Sequence, residues 1–205
     1  MSIITALSLL LTLTLGSGGG TAAELSGSRP APGKLLVSSE GTRDPNFAET
    51  VVLLITYDKG GAMGLVLNRR SDVKLSEVLP DVERLKSRKD PVYFGGPVSP
   101  SRMFLLARSE TPLELARPVV DDVQVSESPQ LLEQLLEKGS EAEFRAFAGY
   151  AGWGAGQLDG EIERGGWHIV AGSAERIFAE RPAALWRSLL PRNRMEWSRL
   201  IPAGE

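Results

Sequence analysis

Apolar and polar positions alternate with a changing period along residues 34–190, and each change of period marks a new element. Residues 34–38 form a short apolar run. Residues 50–57, TVVLLITY, are β-branched and almost continuously apolar, which predicts a strand buried on both faces. Asp58-Lys59-Gly60-Gly61 supplies a turn, and residues 62–68, AMGLVLN, return as a second apolar run, so the pair predicts a hairpin. Residues 73–79 read as a short helix stopped by Pro80, and the charged residues 81–90 as a surface connection. Residues 92–94 and 103–107 predict strands flanking Gly95-Gly96-Pro97-Val98, and one more strand falls within 119–125.

The second half is more helical at its edges. Ser128 followed by Pro129 starts a helix with Leu131, Leu132, Leu135 and Leu136 on one stripe and Gly139 placed to end it. Residues 144–150 predict a strand that enters the sheet. Residues 149–167, GYAGWGAGQLDGEIERGGW, then hold seven glycines and the large aromatics Tyr150, Trp153 and Trp167. Glycine loses the most backbone entropy on folding, so this stretch is not expected to be one helix or strand throughout, and something tertiary must hold it. Within it, 157–164 read as a short helix. Residues 167–170 read as a strand, and 174–179 and 182–190 as two closing helices, the second turning Leu185, Trp186, Leu189 and Leu190 inward. Strands and helices do not alternate regularly. The expected fold is therefore α+β, a single domain over residues 34–191 with a mixed, mainly antiparallel, barrel-like sheet and flanking helices.

Residues 3–15 are an apolar run of signal-peptide length, and the small residues after it end in Thr21-Ala22-Ala23, which fits cleavage before Glu24. The segment carries no Lys or Arg ahead of that run. Export predicts a periplasmic chain without a transmembrane helix once residues 1–23 are removed. An uncleaved anchor, or a start codon placed too far upstream in a cytoplasmic protein, are the alternatives. Residues 24–33 read as a flexible tether and 192–205 as a polar tail, in which Arg192, Arg194 and Arg199 interleave with Trp197.

Composition narrows the chemistry. The chain is 42% hydrophobic and 24% charged, as in an ordinary globular protein, and its net charge of −3 gives no long-range pull on nucleic acid. Without cysteine there is no disulfide, thiolate nucleophile or cysteine-held metal. Nothing calls for a cofactor. Gly154-x-Gly156-x-x-x-Gly160 has the wrong spacing for a dinucleotide fingerprint, no G-x-S-x-G elbow occurs, and His168 is the single histidine, read as a solvated strand residue.

Each candidate residue has two readings. Asp44 is a base or metal ligand in a cleft, or the cap of the turn made with Pro45. Arg69, beside Asn68, is an anion-binding guanidinium or a salt-bridge partner of Asp159 or Glu161. Gly95 and Gly96 expose backbone amides, and the glycines of 149–156 form an anion-binding turn or let Tyr150, Trp153 and Trp167 lie against backbone. Glu161 and Glu163 are two apart and face different sides of a helix, so they are not a cooperating pair. Two functions follow. One is a non-catalytic binding or regulatory module whose glycine-aromatic surface, with Tyr150, Trp153, Gln157 and Glu161, meets a protein or small-molecule partner. The other is a hydrolase of an anionic substrate with Asp44 as base and Arg69 with the Gly95-Gly96 amides stabilising charge.

The blocks GKLLVSS (33–39), DPNF (44–47), TVVLL (50–54), GAMGLVLNR (61–69), YFGGPV (93–98) and GYAGWGAGQLDGEI (149–162) occur in an order that resembles the AlgH/YqgE-like family of bacterial proteins. The resemblance spans about residues 33–190 and implies one α+β domain with a central barrel-like sheet. It also implies a cytoplasmic protein and, through a link to alginate production in some members, a transcriptional-regulator label. It carries over no catalytic or binding residue. Two positions depart from the family pattern: Thr56-Tyr57-Asp58 stands where Glu-His is usual, and Asn68-Arg69-Arg70 where Asn-Arg-Pro is usual. Genuine export would make a transcriptional role implausible.

Overall fold

Strand continuity through the glycine-rich stretch decides the architecture. The computed structural model describes residues 29–137 and 143–190. The first half of the chain gives β1 (Lys34–Ser38), β2 (Val51–Asp58), β3 (Gly61–Val66), β4 (Arg70–Lys74), α1 (Leu75–Val78), a 3-10 turn (Glu83–Leu85), β5 (Pro91–Phe94) and β6 (Val98–Arg108). The second gives β7 (Arg117–Val120), β8 (Val123–Ser126), α2 (Pro129–Glu137), β9 (Phe144–Gly154), α3 (Gln157–Glu163), β10 (Trp167–Ala171), α4 (Ala174–Ile177) and α5 (Pro182–Leu189). The expected signal-like segment, the stop at Gly139 and the tail at 192–205 lie outside the described residues.

The strands join in the order β10-β1-β2-β3-β9-β6-β8-β7, and β5 adds a parallel pairing to β9 and an antiparallel one to β4. The sheet is therefore mixed and mainly antiparallel. Strand β9 joins its two halves: Ala146–Ala148 sit between β5 and β6, whereas residues 151–154 pair with β3. Gly149, with φ +70°, lies where the strand changes neighbours. A side chain there would strain the left-handed backbone, and its Cβ would come within 2.5 Å of the Gly96 carbonyl oxygen.

Three apolar clusters follow from the two-residue period of the strands. Val51, Leu53 and Ile55 of β2 point to the concave side, with Leu65, Phe104, Phe147, Trp186 and Leu189. Val52 and Leu54 point outward with Trp153, Leu158 of α3 and Trp167. The other outer face, carried by Leu105 and Ala146, is covered by α2 through Leu131, Leu132, Leu135 and Leu136. All five residues 51–55 are fully buried, so their continuous apolarity reflects a strand covered on both sides. The sheet curls far enough for Arg117 at its β7 edge to donate to the Ile55 carbonyl of β2 at 3.0 Å, forming a half-barrel. Helices α4 and α5 fill its concave side. Trp186 donates to the Ser38 carbonyl at 2.7 Å, and Arg145 donates to the carbonyls of Ile177 and Ala179 at 2.9 and 2.7 Å. Burial lowers the Arg145 pKa, partly offset by Tyr93 and Glu143.

Several boundaries differ from the sequence expectation. Residues 73–79 are not one helix: β4 runs through Lys74, because residues 70–74 lie along β5, and only Leu75–Val78 is helical. The strand expected within 119–125 is two strands, β7 and β8, which reverse at Asp121, a left-handed residue with φ 49°. Strand β6 begins at Val98 rather than Met103. The glycine-rich segment stays extended to Gly154, because β6 pairs with Tyr150 and β3 with residues 151–154, and these ladder hydrogen bonds outweigh weak intrinsic propensity.

Candidate functional site

The predicted site residues fall into three neighbouring groups. The first surrounds the 44–50 loop. The Asp44 carboxylate accepts the Asn46 amide at 2.8 Å and so closes an Asx turn. Asn68 accepts the Val51 amide at 2.9 Å and donates to the Glu49 carbonyl at 2.8 Å, substituting for a strand partner. Arg69 makes no ion pair with Asp159 or Glu161 among the described residues; it donates to the carbonyls of Pro45 and Ala48 and to the Thr50 hydroxyl, at 3.0, 3.3 and 3.1 Å. Asp44 and Arg69 thus share one loop, with the guanidinium holding its backbone.

The second group is the interlock of Gly95 and Gly96 with β9. The Gly95 amide donates to the Ala148 carbonyl and its carbonyl accepts from Val66, both at 2.8 Å. A Cβ at Gly96, whose φ is +152°, would stand 2.1 Å from the Tyr150 carbonyl carbon, and one at Gly95 2.2 Å from the Gly149 oxygen. Both residues are buried, and the Gly95 amide is occupied by a backbone bond.

The third group is an aromatic and carboxylate cluster under α3. One Glu161 oxygen accepts the indole N–H groups of both Trp153 and Trp167 at 2.9 Å, and the other accepts the Gln157 amide at 3.0 Å. Gln157 in turn accepts the Gly154 amide at 3.1 Å. The two indoles cross edge to face with centroids 5.9 Å apart, and Phe47 from the 44–50 loop stacks on Trp153 at 5.8 Å and meets Trp167 edge-on at 5.4 Å. The first group and the third are thereby joined through Phe47. Beside them the Tyr57 hydroxyl donates to Asp159 at 2.5 Å, and that hydrogen bond, with burial and the Asp159 charge, raises the Tyr57 pKa above its usual 10.0.

Beside the second and third groups lies a shallow open depression of about 450 Å³. Gly60, Gly61 and Gly152 contribute backbone to it, and Thr56, Met63 and Tyr150 line it. Tyr150 is supported edge-on by Phe104 at 5.9 Å, and the Arg102 guanidinium lies over both rings at 5.2 and 5.6 Å. Arg102 is held by Glu127, whose hydrogen bond raises the Arg102 pKa.

Sequence reasoning missed one pairing, that of Ser39 with His168, which is half-buried rather than fully solvated. The Ser39 hydroxyl donates to the Gly165 carbonyl at 2.5 Å and lies 3.3 Å from His168 Nε2. Because the hydroxyl proton is directed to Gly165, the histidine faces it as a donor, the reverse of the polarity a general base needs. Nothing in the sequence marks it: the pairing follows from the antiparallel register of β1 and β10, which sets Val37 opposite His168, two residues from Ser39. Among the described residues, no three His, Asp or Glu side chains are grouped to hold a metal ion.

A family model described as AlgH-like matches residues 35–198. A UPF0301 protein of Paracoccus denitrificans is 37% identical over 165 residues, covering 77% of this chain and 87% of the relative. One from Streptomyces avermitilis is 37% identical over 173 residues, covering 80% and 87%. Among solved structures, the AlgH protein of Pseudomonas aeruginosa in solution aligns with a TM-score of 0.65 at 29% identity, over 88% of this chain and all of that one. The crystal structure of a Corynebacterium diphtheriae protein aligns with a TM-score of 0.67 over 82% of this chain and 90% of that one; at 24% identity it speaks for the fold alone.

Proposed function

The chain belongs to the AlgH-like family, and we propose that it acts as a non-catalytic binding module whose contact surface is the depression beside Tyr150, Gly152 and Trp153. One observation carries the reading: the polar groups that chemistry would need are engaged in holding the fold. Asp44 closes its own turn, Arg69 serves three oxygens of the 44–50 loop, and Glu161 accepts three donors. The depression, in contrast, is open, with backbone at Gly60, Gly61 and Gly152 and a braced aromatic ring at one side. Such a surface takes a flat or aliphatic group of a protein or small-molecule partner without requiring proton transfer. The hydrolase reading has less support. It needs the Asp44 carboxylate, the Arg69 guanidinium and the Gly95 amide free for substrate, and each has an intramolecular partner.

The test uses Gly152, whose backbone is not left-handed and whose added Cβ would meet chiefly the Tyr150 ring edge, at 3.1 Å. Gly152→Leu fills the depression. A photo-crosslinking amino acid at Thr56 in cells of the source bacterium should give a discrete adduct that Gly152→Leu removes while the chain stays folded. An adduct indifferent to Gly152→Leu, or the same adduct from a crosslinker at the exposed Glu110, past the end of β6 far from Val98, sinks the reading.

A further inference from the structure

Strand β9 runs out of neighbours on one side where it borders the depression. Residues 151–154 pair with β3, but on the opposite side β6 reaches only as far as the Val98–Tyr150 pair. Before Val98 the chain leaves that line: Pro97 has no N–H to offer, and Gly96 packs directly on the Tyr150 backbone. Backbone groups of an antiparallel strand face alternate sides. The Gly154 amide turns away from β3, to the Gln157 side-chain oxygen at 3.1 Å, so the N–H and C=O of Gly152, two residues back, face away from β3 as well. Neither has a partner among the described residues, and Gly152 is part-exposed. Open edges are ordinarily blunted by charge, proline or a bulge, whereas residues 150–154, YAGWG, carry no charge or proline and residues 151–154 keep unbroken register with β3.

The unpaired backbone specifies the occupant. We propose that the partner engaged at the depression is an extended peptide segment of another protein, which adds to β9 at Gly152 as a short antiparallel strand and continues the line of β6. This rests on the depression being the contact surface and names what that surface binds. One residue of the segment exchanges both hydrogen bonds with Gly152: its N–H donates to the Gly152 carbonyl and its C=O accepts the Gly152 N–H. A residue two positions along donates to the Gly154 carbonyl. A Cβ at Gly152 would meet the Tyr150 ring edge at 3.1 Å and the Val98 side chain at 3.6 Å. The side chain of the facing residue lies on the same face, against the same two groups, and is therefore apolar. A membrane surface or a nucleic-acid duplex presents no N–H and C=O groups alternating at strand spacing, so neither matches this edge.

Backbone amides of the full-length protein are followed by NMR during titration with a capped peptide of about six alternating Thr and Val residues. The same peptide N-methylated throughout, which keeps its side chains but cannot donate from its backbone, is the comparison. The unmethylated peptide should give saturable shifts centred on Gly152, a downfield move of its amide proton and at least about tenfold slower exchange of that proton. The methylated peptide should bind at least about tenfold more weakly. Gly152→Ala and Gly152→Pro add the same Cβ, but only proline removes the N–H, which the β3 ladder does not use. Gly152→Ala should keep the peptide's affinity within about threefold, and Gly152→Pro should lose at least about tenfold. Equal binding of the two peptides would overturn strand addition while leaving the depression a contact surface, which crosslinking at Thr56 decides separately. No saturable shift at Gly152, or equal affinity in Gly152→Ala and Gly152→Pro, would also overturn it. So would Gly152 protection that rises with protein concentration in the absence of peptide, since that outcome assigns the edge to a second copy of the chain.

Discussion

Replacing Glu161 isolates the interaction that holds the glycine-rich segment. In Glu161→Ala the indole N–H groups of Trp153 and Trp167 lose their acceptor, and both rings are nearly buried, at 5% and 6% exposure. A buried donor without a partner costs about 1–3 kcal/mol, so two of them, less what entering water recovers, give a loss of about 3 kcal/mol. For a domain of this size that is a fall in Tm of roughly 6–12 °C. Glu161→Gln retains an acceptor oxygen for the indoles but turns an amide toward Gln157 and removes the charge, and should cost about 1 kcal/mol. Thermal unfolding followed by far-UV circular dichroism gives the ordering, and tryptophan emission should shift in Glu161→Ala as the indoles lose a charged neighbour. A double-mutant cycle with Trp153→Phe separates hydrogen bonding from packing, because phenylalanine keeps a ring but no N–H, and about 1 kcal/mol of coupling is expected. Glu161→Ala melting within about 2 °C of the parent, or strict additivity in the cycle, would refute the view that this carboxylate clamps the segment.

Further expectations rest on separate contacts. Tyr57 should ionise at higher pH than free tyrosine in an absorbance titration, and Asp159→Asn should bring its titration back toward 10.0. Because the folded-state pKa is the raised one, the stability from this hydrogen bond is present below the unfolded value and is lost as pH rises through the folded value; a denaturant series at alkaline pH reads it. Gly96→Ala forces a Cβ to within 2.1 Å of the Tyr150 backbone and should cost about 3 kcal/mol or more, seen as a lower denaturant midpoint; a midpoint equal to the parent's would contradict the interlock. Arg145→Met leaves the Ile177 and Ala179 carbonyls without their donor and should cost about 2–3 kcal/mol, measurable as faster hydrogen exchange in α4 and α5. If residues 1–23 are an export signal, intact mass of the protein from its own cells will place the first residue at Glu24 in the periplasmic fraction; a cytoplasmic chain that begins close to Lys34 would refute it.

What the sequence made legible were features encoded within a few residues. The β2–β3 hairpin is punctuated by Asp58-Lys59-Gly60-Gly61, α2 starts at Pro129 with its leucine stripe, and α5 has Pro182 in its first turn. Features set by distant partners stayed hidden. Arg69 reaches oxygens 19 to 24 residues away, and Ser39 meets His168 across 129 positions. Neither side chain differs in sequence from an ordinary surface residue. Extension of β9 to Gly154 was hidden for the same reason, since its stability comes from β3 and β6 and not from its own composition.

The glycine-rich segment shows why local propensity and tertiary demand pull apart here. Glycine is required at Gly149 because the strand must turn through a left-handed residue while the 95–96 loop packs directly on it. That requirement weakens the strand where it changes neighbours. The Trp153–Glu161–Trp167 bridge answers it: eight residues after Trp153 and six before Trp167, one carboxylate fastens the end of β9, helix α3 and the start of β10 to each other. Gln157 repeats the link one turn earlier, to the Gly154 amide. The glycines and the acidic residue are thus two halves of one solution. Substitutions in either half are expected to loosen the same segment, and with it Tyr150 and Gly152 at the edge of the depression.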